Sequence, residues 1–252
     1  MLQQAMEYFL EESKTEIINV DGRGYSTKPL HPVLEPKIRG FEATTLDSII
    51  HYLKNNPDAL DSETIIQIKN PRDVTLFTCR YGQFEQRDTL IDAAALLPKI
   101  NFERWMSSEE FIIDLQAKFT KFTAQNVDGT LIEHAGDKEA LLKCIGSLKS
   151  NAVRNHSDDG VTQKVEIKQG ISMVGEAIVP NPVTLAPFRT FPEIEQPASQ
   201  FIFRMREGNY GIEMALFEAD GGAWRNVAIN RIKEYLEKEI KEAGIEGVTI
   251  LA

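Results

Sequence analysis

The chain has 252 residues, 42% apolar and 26% charged, which is the balance of a folded globular protein and excludes a disordered or fibrous one. Its 38 acidic residues against 28 Lys and Arg give a formal charge of −10. That charge repels a phosphate backbone on average and makes duplex nucleic acid a poor partner. The acidic start MLQQAMEYFLEESK lacks the basic head and apolar stretch of a secretion signal, and no 18-residue apolar run occurs; a cytoplasmic protein with no membrane span is expected.

In chain order, Leu2, Met6, Phe9 and Leu10 recur at helical spacing and predict an amphipathic helical arm within residues 1–20. The Gly- and Pro-bearing stretch 21–40 has no apolar period and predicts an irregular extended connection. Thr44 or Thr45 is placed to cap a helix reaching Asn55, with Leu46, Ile49, Ile50 and Leu53 as its apolar stripe. TIIQIKN and DVTLFTCRYG lie on either side of Asn70-Pro71-Arg72 and read as two strands joined by a turn, with a third near Thr89-Leu90-Ile91.

Ser107 followed by Glu110 is a capping-box signature, and Ile112, Leu115, Phe119 and Phe122 extend a helical period beyond it. A second helix is expected from Asp137 to Ser150, with NVDGT between the two and the pair packed as a helical hairpin. These elements make residues 41–150 an N-terminal α+β part. Residues 151–252 form a β-rich part that ends in a closing helix.

In that second part, 151–160 reads as a polar break, and TQKVEIKQG alternates as a half-buried strand should. The prolines between 180 and 197 place that stretch at a sheet edge or in loops. FIFRMREGNYGIEMALF predicts a hairpin turning at Gly208-Asn209, which sets Phe201, Phe203 and Met205 against Leu216, Met214 and Ile212 and faces Arg204 with Glu213. A helix follows from Ala223 to Ala243, stopped by Gly244, and VTILA closes the fold as a strand. The fold class expected is α+β: an antiparallel C-terminal sheet packed with helices, preceded by a smaller helix–strand part.

Chemistry is sparse at the level of motifs. His31, His51, His134 and His156 show no metal-ligand spacing, and neither Cys79 nor Cys144 sits in an electropositive setting, so no metal, cofactor or catalytic residue is assigned. Both cysteines read as buried free thiols. What remains is a set of cations beside turns: Arg154 and His156 with Asn155 in a loop, Arg189 beside Phe188, Arg204 and Arg206 on the hairpin, and Arg225 at a helix start, where an anion can bind.

The run VTQKVEIKQGI, GEAIVPNPVTLAPFRTF and ASQFIFRMREGNYGIEMALF with its closing helix, and FIIDLQAKFTKF after Trp105, resembles the YfdQ-like family of phage and prophage proteins over residues 40–252. Phe111, Leu115 and Phe119 match that family's helix, but the acidic pair that usually follows is missing. The resemblance implies a phage early gene and carries over no functional residue. It implies host takeover, inhibition of a bacterial defence or replication factor, or support of phage replication and recombination. The expectation is a non-enzymatic protein that binds and inhibits a host protein. The alternatives are a module sequestering a small anionic, nucleotide-like signal, and a replication accessory that stacks single strands on Phe203-Arg204 or Phe188-Arg189. A symmetric homo-oligomer is the default assembly.

Overall fold

The apolar positions of the chain separate into two cores, each built by a sheet with helices on it. A computed structural model describes residues 17–20, 23–26, 39–60, 63–81, 86–125, 131–134, 137–149, 152–158, 163–169, 172–178, 181–208 and 211–252. In its first part strands β1 (Ile17–Val20), β2 (Arg23–Ser26) and β3 (Phe41–Ala43) precede helix α1 (Asp47–Asn55). Strands β4 (Thr64–Asn70), β5 (Asp73–Thr78) and β6 (Thr89–Ala94) follow. Then come β7 (Met106–Ser107), α2 (Ser108–Ala117), β8 (Phe119–Thr120), β9 (Phe122–Gln125), β10 (Leu131–His134) and α3 (Lys138–Lys149). The remainder is β11 (Ala152–Asp158), β12 (Gln163–Gln169), β13 (Ser172–Ile178), β14 (Val183–Pro187), β15 (Ser199–Gly208), β16 (Gly211–Glu218), α4 (Trp224–Glu242) and β17 (Val248–Leu251). The class is α+β, and no helix among the described residues is long and apolar enough to cross a membrane.

The first sheet has the order β17-β4-β5-β6-β3. Pairing of Ile66 with Leu76 and Ile68 with Val74 puts four β-branched or Leu side chains on one face, where all are buried. Leu46, Ile49 and Ile50 at α1 and Ile232 and Leu236 of α4 cover that face in one cluster; each such side chain is worth about 1.5–3 kcal/mol when fully buried. The closing helix therefore covers the first sheet and not the C-terminal one. Strand β17 joins the same sheet, parallel to β4.

The second sheet has the order β7-β16-β15-β14-β8. Phe201, Phe203, Met205, Met214 and Leu216 face Phe111 and Leu115 of α2 and Leu141 and Ile145 of α3. A short strap, residues 188–197, runs between the two cores. Phe191 and Ile194 from the strap enter the first core. The strap is held from within by the Gln196 amide, which accepts from Arg189 N at 2.9 Å and donates to the Phe191 carbonyl at 3.0 Å. Thr190 ties it to the first sheet by donating its hydroxyl to the Pro71 carbonyl at 2.6 Å.

Several local expectations are corrected. Neither Thr44 nor Thr45 caps α1: the Thr45 hydroxyl pairs with Ser48, and the free amides of Leu46 and Asp47 donate to the Glu193 carboxylate at 2.7 and 3.4 Å, a capping group from the strap. Helix α2 stops at Ala117, and the periodic Phe119 is buried from a strand, because β8 bonds to the end of β14. The Ser107 cap is as expected, accepting from Glu110 N at 3.3 Å. Helices α2 and α3 share a core, and the chain between them carries the β9–β10 pair; NVDGT itself lies outside the described residues.

The hairpin is slipped by two residues from the expected register. Phe203 pairs with Leu216, Met205 with Met214 and Arg206 with Glu213, and the turn falls between Gly208 and Gly211. A slip of two preserves which side chains face the core, so the apolar pattern could not distinguish the registers. The supposed polar break is strand β11; the last four residues of the expected helical arm 1–20 are strand β1, and β2, its partner, lies in the stretch expected to be irregular. Strand β14 lies inside the second sheet, between β15 and β8. The expected helix of residues 1–16 and the Asn209 turn residue lie outside the described residues.

Candidate functional site

Where the strap, the β4–β5 turn and the start of α4 meet, three cations and an indole come together. Trp224 opens α4 and is 5% exposed; the Arg189 guanidinium lies 4.0 Å and the Arg225 guanidinium 5.1 Å from its ring centroid. Arg189 is 2% exposed. Its guanidinium donates to Glu218 at 3.2 Å, to the Pro197 carbonyl at 3.1 Å and to Ser199 Oγ at 2.5 Å. Burial, opposed by Glu218 and Asp220 and reinforced by Arg225, brings its pKa down to about 10. The side chain stays charged at neutral pH, fixed in place.

Arg225 is exposed, and no carboxylate among the described residues pairs with it. Gly222, at φ +82°, makes room for it: a Cβ there would lie 2.0 Å from its Nη1. The start of α4 is not an open anion seat, however. Asp220 already accepts from Gly222 N at 2.9 Å and Trp224 N at 3.2 Å, which corrects the expectation that the helix terminus itself is available.

Arg72, in the β4–β5 turn, stands in the wall of two adjoining hollows. One, of about 410 Å³, is bounded by Asn70, Pro71, Arg72, Asp73, Trp224 and Arg225. The other, of about 280 Å³, is bounded by Arg72, Lys99 and Arg189 together with apolar surface from Leu97, Pro98, Ile100, Phe102 and Phe188. Arg72 and Lys99 are exposed and, like Arg225, have no carboxylate partner among the described residues. Asp73 is held by the Asn70 amide at 2.7 Å. Two buried donors in these walls, Arg189 Nε and Trp224 Nε1, have no hydrogen-bond acceptor. A buried unsatisfied donor costs about 1–3 kcal/mol.

Of the sequence-predicted cations whose side chains are described, Arg189 and Arg225 come together over Trp224. Arg206 lies on the outer face of the second sheet, 2.7 Å from Glu213 and 4.3 Å from the Trp105 ring centroid; the ion pair expected for Arg204 belongs to it. Arg204 shares that face, opposite Ala215. Arg154 and His156 are on β11 and not in a loop, with a register shift at Arg154; their side chains lie outside the described residues. Phe203 is fully buried, so the Phe203-Arg204 stacking platform does not exist, whereas Phe188 is half-exposed in the smaller hollow.

Sequence reasoning missed Arg72, Lys99 and Trp224. Arg72 reads as a turn residue and Trp224 as helix stripe, and nothing in their spacing announces that the strap joins them. Among the described residues no group of three His, Cys, Asp or Glu is placed to hold a metal. Cys79 and Cys144 are half-buried and not bonded to each other, and burial raises the Cys144 thiol pKa. Compared with protein-family models, curated proteins and solved structures, the chain finds no match.

Proposed function

We propose that this is a non-catalytic binding protein and that the junction between its two cores takes a small anionic ligand. The observation that carries this is the set of exposed Arg72, Lys99 and Arg225, none of them in a salt bridge among the described residues and outnumbering Asp73, the carboxylate in the same walls, around hollows of ligand size. Three such cations around two hollows that share Arg72 leave a local positive field that attracts an anion. Arg is suited to the role because its planar fork meets phosphate or carboxylate with two parallel bonds. Native mass spectrometry of protein expressed in bacterial cytosol, followed by titration with millimolar inorganic phosphate, tests this. Wild type should carry or acquire an anion that Arg72→Glu with Arg225→Glu does not. An anion held equally by the double variant, or none held by wild type, would overturn the assignment.

A second reading, inhibition of a host protein, is favoured by the outer face of the second sheet. Trp105 packs edge-on to Phe217, with ring centroids 6.2 Å apart, under Arg206 and near exposed Ile202, and Trp and Arg are the residue types that dominate interface energetics. A stoichiometric host complex lost on Trp105→Ala would support it; one unaffected by that change would remove this face from consideration.

A further inference from the structure

Resting on the anion-site reading above, we infer that the ligand carries anionic groups at both ends of a short chain, as an oligophosphate does, and lies across Arg72 from one hollow into the other. The exposed cations are divided between the two walls. Lys99 lines the smaller hollow and not the larger, Arg225 lines the larger and not the smaller, and Arg72 lines both. An anion with one charged centre, seated in either hollow, has Arg72 and one further exposed cation in its wall. A ligand charged at both ends has all three. At about 280 and 410 Å³ the hollows also offer more room than one inorganic phosphate fills, in the range of sites for larger ligands.

The two ends are unequal in charge. The larger wall includes Asp73, a carboxylate held by the Asn70 amide at 2.7 Å, which opposes an anion placed beside Arg225. The smaller wall has no carboxylate; its buried Arg189 is answered by Glu218 at 3.2 Å, which leaves Lys99 and Arg72 to set the field there. A lone phosphate therefore settles by preference in the smaller hollow. A second anionic group tethered to the first reaches Arg225 at the high effective concentration that a short link provides, so affinity rises through contacts that separate phosphates would make only weakly. Arg72, between the two, serves whichever group lies nearest, and its planar fork meets phosphate oxygens in pairs.

The test is calorimetric titration of the full chain with inorganic phosphate, pyrophosphate and tripolyphosphate in turn. Tripolyphosphate should bind once per chain and at least tenfold more tightly than phosphate. Lys99→Gln and Arg225→Gln should each weaken it about tenfold, the worth of one hydrogen bond to a charged group, while phosphate should lose more from Lys99→Gln than from Arg225→Gln. Arg206→Gln, on the outer face of the second sheet, should leave tripolyphosphate binding unchanged. All three substituted residues are exposed, and circular dichroism of each variant separates lost binding from lost folding. Phosphate binding as tight as that of tripolyphosphate, or tripolyphosphate binding that survives either Lys99→Gln or Arg225→Gln, would overturn the spanning ligand and leave an anion site confined to one hollow. Weakening by Arg206→Gln equal to that by Lys99→Gln would overturn it by showing attraction to cations at large, and no binding by any of the three probes would overturn both readings.

Discussion

Two guanidinium groups lie over one indole, yet Arg189 and Arg225 answer to opposite conditions. Arg189 is sealed among Glu218, Ser199 and the Pro197 carbonyl, so its removal leaves several buried groups unpaired. Arg189→Ala should lower stability by about 3 kcal/mol in urea unfolding. Arg225→Ala, at an exposed position, should change it by no more than about 0.5 kcal/mol while weakening anion binding. Two phenols report on the first core in a similar way. Tyr52 donates to Asp58 at 2.6 Å and Tyr235 donates to Asp47. Burial first, and then the facing carboxylates, raise both phenol pKa values above their ordinary 10.0. A raised folded pKa means that these pairs stabilise fully below the unfolded value and lose that contribution as pH climbs past it. Stability should fall progressively as pH rises above about 10 in wild type, and less in Tyr52→Phe with Tyr235→Phe, as followed by equilibrium denaturation at each pH.

At the scale of elements, caps separate what is local from what is not. Ser107 caps α2 from three residues away, whereas Glu193 caps α1 across 147 residues. Ser107→Ala and Glu193→Ala should each cost about 1 kcal/mol, and the second should also loosen the strap, seen as faster hydrogen exchange at Leu46 and Asp47. The contrast explains what could be read from the chain. The β-branched and aromatic runs of β4 and β5, the hairpin strands β15 and β16 and the Gly244 stop of α4 follow from neighbouring residues, and all were legible. The end of α2 was not: Phe119 continues a helical period but is buried from a strand, because pairing with β14 outweighs local preference. The hairpin register escaped for a different reason, since both registers bury the same face. Of the candidate site, Arg189 and Arg225 were legible as cations beside turns. Arg72 and Lys99 belong to other segments, and only the folded strap sets them opposite.

The molecule as a whole is laced together out of chain order. Residues 188–197 supply Phe191 and Ile194 to the first core, Arg189 to the junction and a cap to α1, and α4 with β17 completes a sheet that starts near residue 41. Ending the chain after Gly247 should therefore strip one edge of β4, and its amides should exchange quickly while those of β15 and β16 stay protected. The parallel pairing of Val248 with Thr64 also has a consequence for biogenesis. A ribosome that has delivered β4 through β6 has made a sheet with α1 on its face and β3 at one edge but with neither α4 nor the opposite edge strand β17, and it must add more than a hundred residues before either exists. The second core, whose parts lie between those two moments of synthesis, can consolidate first. The nascent chain should therefore gain protease resistance from its middle outward, and the apolar face of the first sheet is the surface that a chaperone would find exposed in the interval.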